Sequence, residues 1–211
     1  TMDRALDNVR EAFHFAALER RPVVISIPMD LQKQAYPHMV DYIPSADYLP
    51  AAQRPQPDPT LVEKLVEMIA ASEKPMIIAG RGAKLSKARE AIEEMAEAMG
   101  ALLTTSLQAK GLFTGNRFAM DISGAYASDF SRERFAEADL VIGLGVGLGA
   151  YTTESGYLYP GAQTVQIDIG PRGLWQGLRT ADLHIRADAK AAAEAVTAAI
   201  KRHGAGGKRF R

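Results

Sequence analysis

The sequence predicts an α/β fold: a doubly wound, Rossmann-like parallel sheet of six strands, preceded by a helix–strand remnant of another domain. Three observations carry this prediction. Short aliphatic runs alternate with amphipathic, helix-periodic segments between Thr60 and His203. Most of those runs are apolar throughout, as expected of strands covered on both faces. Glycines stand directly after several of the runs, where the chain must leave the sheet through a tight turn.

Residues 3–20 read as a helix, because Ala5, Val9, Ala12, Phe13, Ala16 and Ala17 recur at helical spacing between charges. Arg21-Pro22 stops it. Val23–Ile27 reads as a short buried strand, ended by Pro28. This pair is too small to hold a core, and a chain that opens inside a helix at Thr1 leads us to expect sequence upstream. Pro37, Pro44, Pro50, Pro55, Pro57 and Pro59 then interrupt every element, as in a stiff linker. The expected organisation is therefore residues 1–31 as the end of one domain, 32–59 as a Pro-rich linker, 60–203 as a Rossmann-like domain and 204–211 as a flexible tail.

Within the main domain, Thr60 is placed to cap a helix over 61–72. The strand Met76–Ala79 runs into Gly80-Arg81-Gly82. A helix over 86–99 stops at Gly100, and the strand Ala101–Thr105 follows. Residues 107–130 are polar and Gly-containing and read as loop. A brief helix over 131–137 leads to the strand Leu140–Gly145, and a loop leads to Thr164–Ile169. Residues 171–179 read as helical. Asp182–Arg186 is the sixth strand, and its alternation suits an edge. An Ala-rich helix over 188–202 closes the domain. No internal repeat is visible.

Composition excludes several function classes. Hydrophobic residues make up 47% and charged residues 24% of the 211 positions, the balance of a globular domain. Lys plus Arg and Asp plus Glu both total 25, so the formal charge is zero. That argues against a nucleic-acid or membrane surface built on net charge. The basic cluster Lys208, Arg209 and Arg211 reads as a solvated end. The chain has no cysteine, which removes disulfides, thiolate metal sites and Cys nucleophiles and suits a reducing, cytoplasmic setting. No apolar run approaches the roughly 20 residues that span a bilayer, and the N-terminus is no signal peptide.

In an open parallel sheet, ligands gather outside the carboxyl ends of the strands. Four strand ends carry candidate binding residues: Gly80, Arg81 and Gly82; Thr104, Thr105, Ser106 and Leu107; Gly145; and Asp168. Glycines there let a backbone approach a phosphate, an Arg is able to pair with it, and an Asp at a strand end suits ribose hydroxyls. The same glycines are also what any post-strand turn requires. Gly145–Ala150 matches G-x-G-x-x-A, but the residues after it do not read as the helix which that fingerprint needs. His14, His38, His184 and His203 are dispersed, and Glu90, Glu93, Glu94 and Glu97 form a solvated helix face. Ser123 lacks the nucleophile-elbow pattern. No catalytic group and no metal ligand set can be assembled.

The segments together resemble a known family. Arg21–Gln32 (R-P-V-V-I-S-I-P-M-D-L-Q), the Pro-rich linker, Lys74–Ala83, Leu103–Ser106 with Lys110-Gly111, and Ala138–Gly145 through Val165–Ile169 occur in this order. Their order and spacing resemble the thiamine diphosphate-dependent enzymes of the acetolactate synthase, pyruvate oxidase and benzoylformate decarboxylase group. The resemblance covers nearly the whole chain. It implies that residues 1–31 end a pyrimidine-binding domain and that residues from about 60 to 203 form the central domain. It also implies a parent enzyme using thiamine diphosphate and Mg²⁺ on 2-oxo acids, as a carboligase or decarboxylase and as a homo-oligomer. The activating glutamate and the G-D-G motif of that family are not in this sequence, so no catalysis is expected from this chain alone. In the family the central domain holds FAD, ADP or nothing. Gly80, Arg81, Gly82, Thr104 to Leu107 and Asp168 match positions that line the FAD site. Acetolactate synthases carry G-A-R-F-D-D-R after the strand that here ends at Leu144; Gly145–Thr152 lacks both arginines, which puts the flavin in question. A free-standing nucleotide-binding module and a purely structural assembly domain are the alternatives.

Overall fold

The periodicity at the start of the chain is realised as helix α1 (Ala5–Glu19), entered through a 3-10 turn at Met2–Arg4. In the computed structural model, residues 1–19, 21–38, 41–44, 47, 53–170, 174–175, 178–207 and 210 are described. The chain divides into two units, Thr1–Gln53 and Arg54–Arg211. In the first, the strand expected over Val23–Ile27 does not form. Residues 22–28 carry no ladder, and Val24 is 90% exposed. A strand exists only as one partner of a pair, and among the described residues of this unit there is no other strand. A single helical turn, α2 (Met29–Gln32), follows.

The second unit opens with α3 (Pro59–Ala71). Its cap is Asp58 rather than Thr60: Asp58 Oδ1 accepts from the Thr60 amide at 2.8 Å and from its hydroxyl at 2.7 Å. Pro59 then occupies the first helical position, where its missing N–H is no loss. The six-stranded sheet comprises β1 (Pro75–Ala79), β2 (Leu102–Thr105), β3 (Ala119–Ile122), β4 (Leu140–Leu144), β5 (Gln163–Asp168) and β8 (Leu183–Arg186), all parallel, in the order β3-β2-β1-β4-β5-β8. The count of six holds, and Ala119–Ile122, read as loop, is one of the six strands. It is a four-residue edge strand with a register irregularity against β2 between Leu103 and Thr105, too short for its periodicity to stand out. β8 is at the opposite edge, as its alternation predicts.

Two further expectations change. The helix expected over 86–99 is α5 (Arg89–Met99), and an unexpected short helix, α4 (Arg81–Leu85), precedes it; Lys87, between the two, adopts a left-handed φ of 54°. In the segment read as helical over 171–179, the described residues form an antiparallel pair, β6 (Leu174–Trp175) with β7 (Leu178–Arg179). Residues 171–173 and 176–177 lie outside the described set.

Each central strand sends alternate side chains to opposite faces. On one face Ile77, Leu103, Ile142, Val165 and Ile185 pack with α3, α5 and α8 (Ala189–His203) through Leu65, Ile69, Met95, Met99 and Val196. On the other, Met76, Ile78 and Val141 meet Phe135 of α6 (Asp129–Glu137) and Val146, Leu148, Leu158 and Tyr159 of the β4–β5 crossover. Cover on both faces is why β1 and β4 read as uninterrupted apolar runs. The end of the chain is tied in: Gly207 donates to Ala98 O and Phe210 to Gly100 O, and the Phe210 ring joins the second face.

Candidate functional site

Strand order decides which strand ends become neighbours. Connections from β1 run outward through β2 to β3, and those from β4 run outward through β5 to β8, so the order reverses between β1 and β4. This is the topological switch point, where open α/β sheets hold ligands. The expected residues gather there in one band. The Ser106 amide donates to Ala79 O at 2.9 Å, Gly80 to Leu144 O at 2.9 Å, and Gly145 to Ile167 O at 2.8 Å. Ser106, Gly80 and Gly145 thus extend the ladder one step past β2, β1 and β4, and Asp168 ends β5.

The glycines turn out to serve each other. A Cβ on Gly80 would lie 2.3 Å from Gly145 O, and one on Gly82 would lie 2.7 Å from Gly145 Cα. One on Gly145, at φ +60°, would lie 2.4 Å from Ala83 N. The Gly80 and Gly82 amides donate to Leu144 O and Gly145 O. In a dinucleotide fold, backbone amides of such a loop face a diphosphate; here two of them face the chain's own β4 loop. Helix α4, which follows, is only five residues long.

The remaining candidates separate by depth. Thr104 is fully buried, opposite Ile78 in the ladder, and its hydroxyl finds no partner; it lies within the sheet layer rather than at its rim. Thr105 and Ser106 are buried just above it. Asp168 is buried and accepts from the Gly170 amide at 2.9 Å. Arg81, Leu107 and Ile169 are exposed. The stretch after Gly149, expected not to be helical, makes one helical turn, α7 (Ala150–Thr153), and then a 3-10 turn at Glu154–Gly156. That is too little for the dinucleotide fingerprint helix.

Residues not singled out by their sequence context hold this edge together. The loop from Gly145 to Gly149 folds back over Gly143, where a Cβ would meet Val146 Cγ1 at 2.8 Å and Leu148 Cδ1 at 3.1 Å. Gln166, fully buried in β5, fixes it by donating from Nε2 to Val146 O at 2.8 Å. The signal was a polar residue inside Val165-Gln166-Ile167, where a buried strand otherwise tolerates none without a partner. At the opposite end of the sheet, Asp139 accepts from Ser72 Oγ at 2.5 Å and from the Glu73 and Lys74 amides at 2.6 and 3.0 Å. Burial works against its ionisation, but these hydrogen bonds outweigh burial and hold its pKa below the ordinary carboxylate value. Burial alone pushes the Tyr159 phenol up. Among the described residues no group of three His, Cys, Asp or Glu side chains is gathered as a metal site, and no helix is long and apolar enough to cross a membrane.

A six-stranded parallel sheet whose post-strand glycines close on one another defines a doubly wound, Rossmann-like α/β domain. The comparisons place it within that class. The family model for the central domain of thiamine pyrophosphate enzymes matches residues 62–196. A protein described as "Probable acetolactate synthase large subunit" from Methanocaldococcus jannaschii is 31% identical over 87% of this chain, which spans 32% of that protein. Glyoxylate carboligase from Escherichia coli O157:H7 is 31% identical over 87% of this chain, spanning 31% of its own length. The crystal structure of benzoylformate decarboxylase from Polynucleobacter necessarius superposes with a TM-score of 0.67 at 17% identity, over 93% of this chain and 36% of that one. The chain belongs to the thiamine pyrophosphate enzyme family, as its central domain, and spans about a third of the length of the relatives it matches.

Proposed function

We propose that this chain is the central part of a thiamine diphosphate-dependent enzyme acting on 2-oxo acids, an acetolactate synthase-like carboligase or decarboxylase. The observation that carries this reading is the 31% identity, along 87% of the chain, to both an acetolactate synthase and a carboligase. In this reading residues 1–31 end the pyrimidine-binding domain, 32–59 link it to the central domain at 60–203, and 204–211 lead out of it. Thiamine diphosphate supplies a carbanion-stabilising centre beside the substrate carbonyl. G-D-G is absent from the sequence, and among the described residues no cluster of His, Cys, Asp or Glu is gathered to hold Mg²⁺. The role of this chain is to carry and space the parts that do the chemistry, in a homo-oligomeric, cytoplasmic parent enzyme. The test is acetolactate formation from pyruvate with thiamine diphosphate and Mg²⁺. The isolated chain is expected to give none and the full reading frame to give turnover; acetolactate from the isolated chain would overturn the reading.

A second reading, FAD or ADP at the carboxyl edge, is favoured by the exposed Arg81 and Leu107 and by Asp168 at the end of β5. The engaged Gly80 and Gly82 amides count against a diphosphate at the crevice itself. Calorimetry with FAD, ADP and NAD separates the two: saturable heat supports the nucleotide, and its absence for all three leaves the structural role.

A further inference from the structure

The β4–β5 crossover does something that the switch point does not. A regular helix would cover this part of the sheet completely. Here residues 145–162 make only α7, a 3-10 turn and irregular chain, and they leave a cavity of about 200 Å³ against β5. Its walls include Leu148, Ser155, Tyr159, Pro160, Thr164 and Thr180. It lies beside Thr164, at the start of β5, and so away from the carboxyl edge described above.

Three features set its chemistry. Among the described residues, no Asp, Glu, Lys, Arg or His lines it, which suits a neutral ligand. Hydroxyl-bearing residues make up much of the wall, with Leu148 and Pro160 supplying apolar contact. Tyr159 lines the cavity and is 6% exposed, and the Thr180 hydroxyl, also in the wall, is buried without a partner among the described residues. The rim is also unusual: Glu154 and Ser155, neither a glycine, both adopt left-handed φ values, 50° and 58°. Thr153 Oγ1 accepting from the Gly156 amide at 3.1 Å and the Arg132–Glu154 ion pair hold them there. Such residues cluster where a ligand is clamped. A dry cavity of about 150 Å³ admits a benzene ring, so this one has room for a somewhat larger ring.

We propose that this cavity binds a small, neutral, hydroxylated ring compound of pentose size, with Tyr159 donating to it. The inference is independent of the thiamine-enzyme reading. The probe is D-ribose, titrated into the whole chain and followed by amide chemical shifts. Saturable shifts confined to residues 148–164 and 180 are expected, at millimolar affinity. Tyr159→Phe keeps the ring that packs at 5.9 Å on Phe135 and should weaken binding about fivefold, the effect of one neutral hydrogen bond. Thr164→Val should also weaken it, and ribose 5-phosphate should bind no more tightly than ribose. No saturable shift up to about 50 mM, unchanged binding in both variants, or a preference for the phosphorylated sugar would overturn the proposal. So would a crystal soaked in ribose that holds only water there.

Discussion

Gly145 shows how one residue joins two loops. Its φ of +60° and the 2.4 Å that a Cβ would have to Ala83 N both forbid a side chain. Gly145→Ala is expected to lower unfolding free energy by at least about 2 kcal/mol in denaturant titration, combining left-handed strain with overlap. Gly156, at φ +91° with nothing within 4 Å, is the control: Gly156→Ala should lose about 1 kcal/mol, the conformational part alone. Asp139 makes a pH prediction. Its folded pKa lies below the ordinary 3.8. Its contribution is therefore fully present above that value and is lost as pH falls through the lower, folded one. Asp139→Asn should be less stable than the unaltered chain at pH 7, with the gap closing towards pH 3 in urea midpoints measured across that range. Of the candidate residues, the glycines and Asp168 were recognisable from their place after strands. Gly143 was not, because its importance depends on a loop that folds back over it, and Gln166 was marked only as a polar residue inside Val165-Gln166-Ile167.

At the scale of elements, a strand read from composition stands or falls on having a partner. Val23–Ile27 has the composition of a buried strand and none of the pairing, with Ile25 41% and Ile27 49% exposed. Ala119–Ile122 has weak composition and a complete neighbour in β2. Hydrogen exchange tests the contrast: amides 23–27 should exchange in the fastest class, while 76–79 exchange only with global unfolding. Comparable protection in the two segments would contradict it. Helix boundaries moved for local reasons of the same kind, with Asp58 capping α3 and Lys87 breaking the segment between α4 and α5.

For the whole molecule, the buried core of Arg54–Arg211 is built from its own sheet and helices. Removing residues 1–53 should leave a domain that unfolds in a single transition with the same denaturant midpoint as the corresponding transition of the whole chain. A midpoint lowered by more than about 1 kcal/mol equivalent would mean that the first unit supports the second. The sequence by itself determined the fold class, the order of its main elements and the family, because hydrophobic period, turn residues and motif order are local properties carried by consecutive residues. Only the tertiary structure decided which strand completes the sheet, and that Gly80, Gly82 and Gly145 close on one another. Both depend on β1 lying beside β4 and β2 beside β3, a pairing between residues distant in the chain that no local pattern encodes.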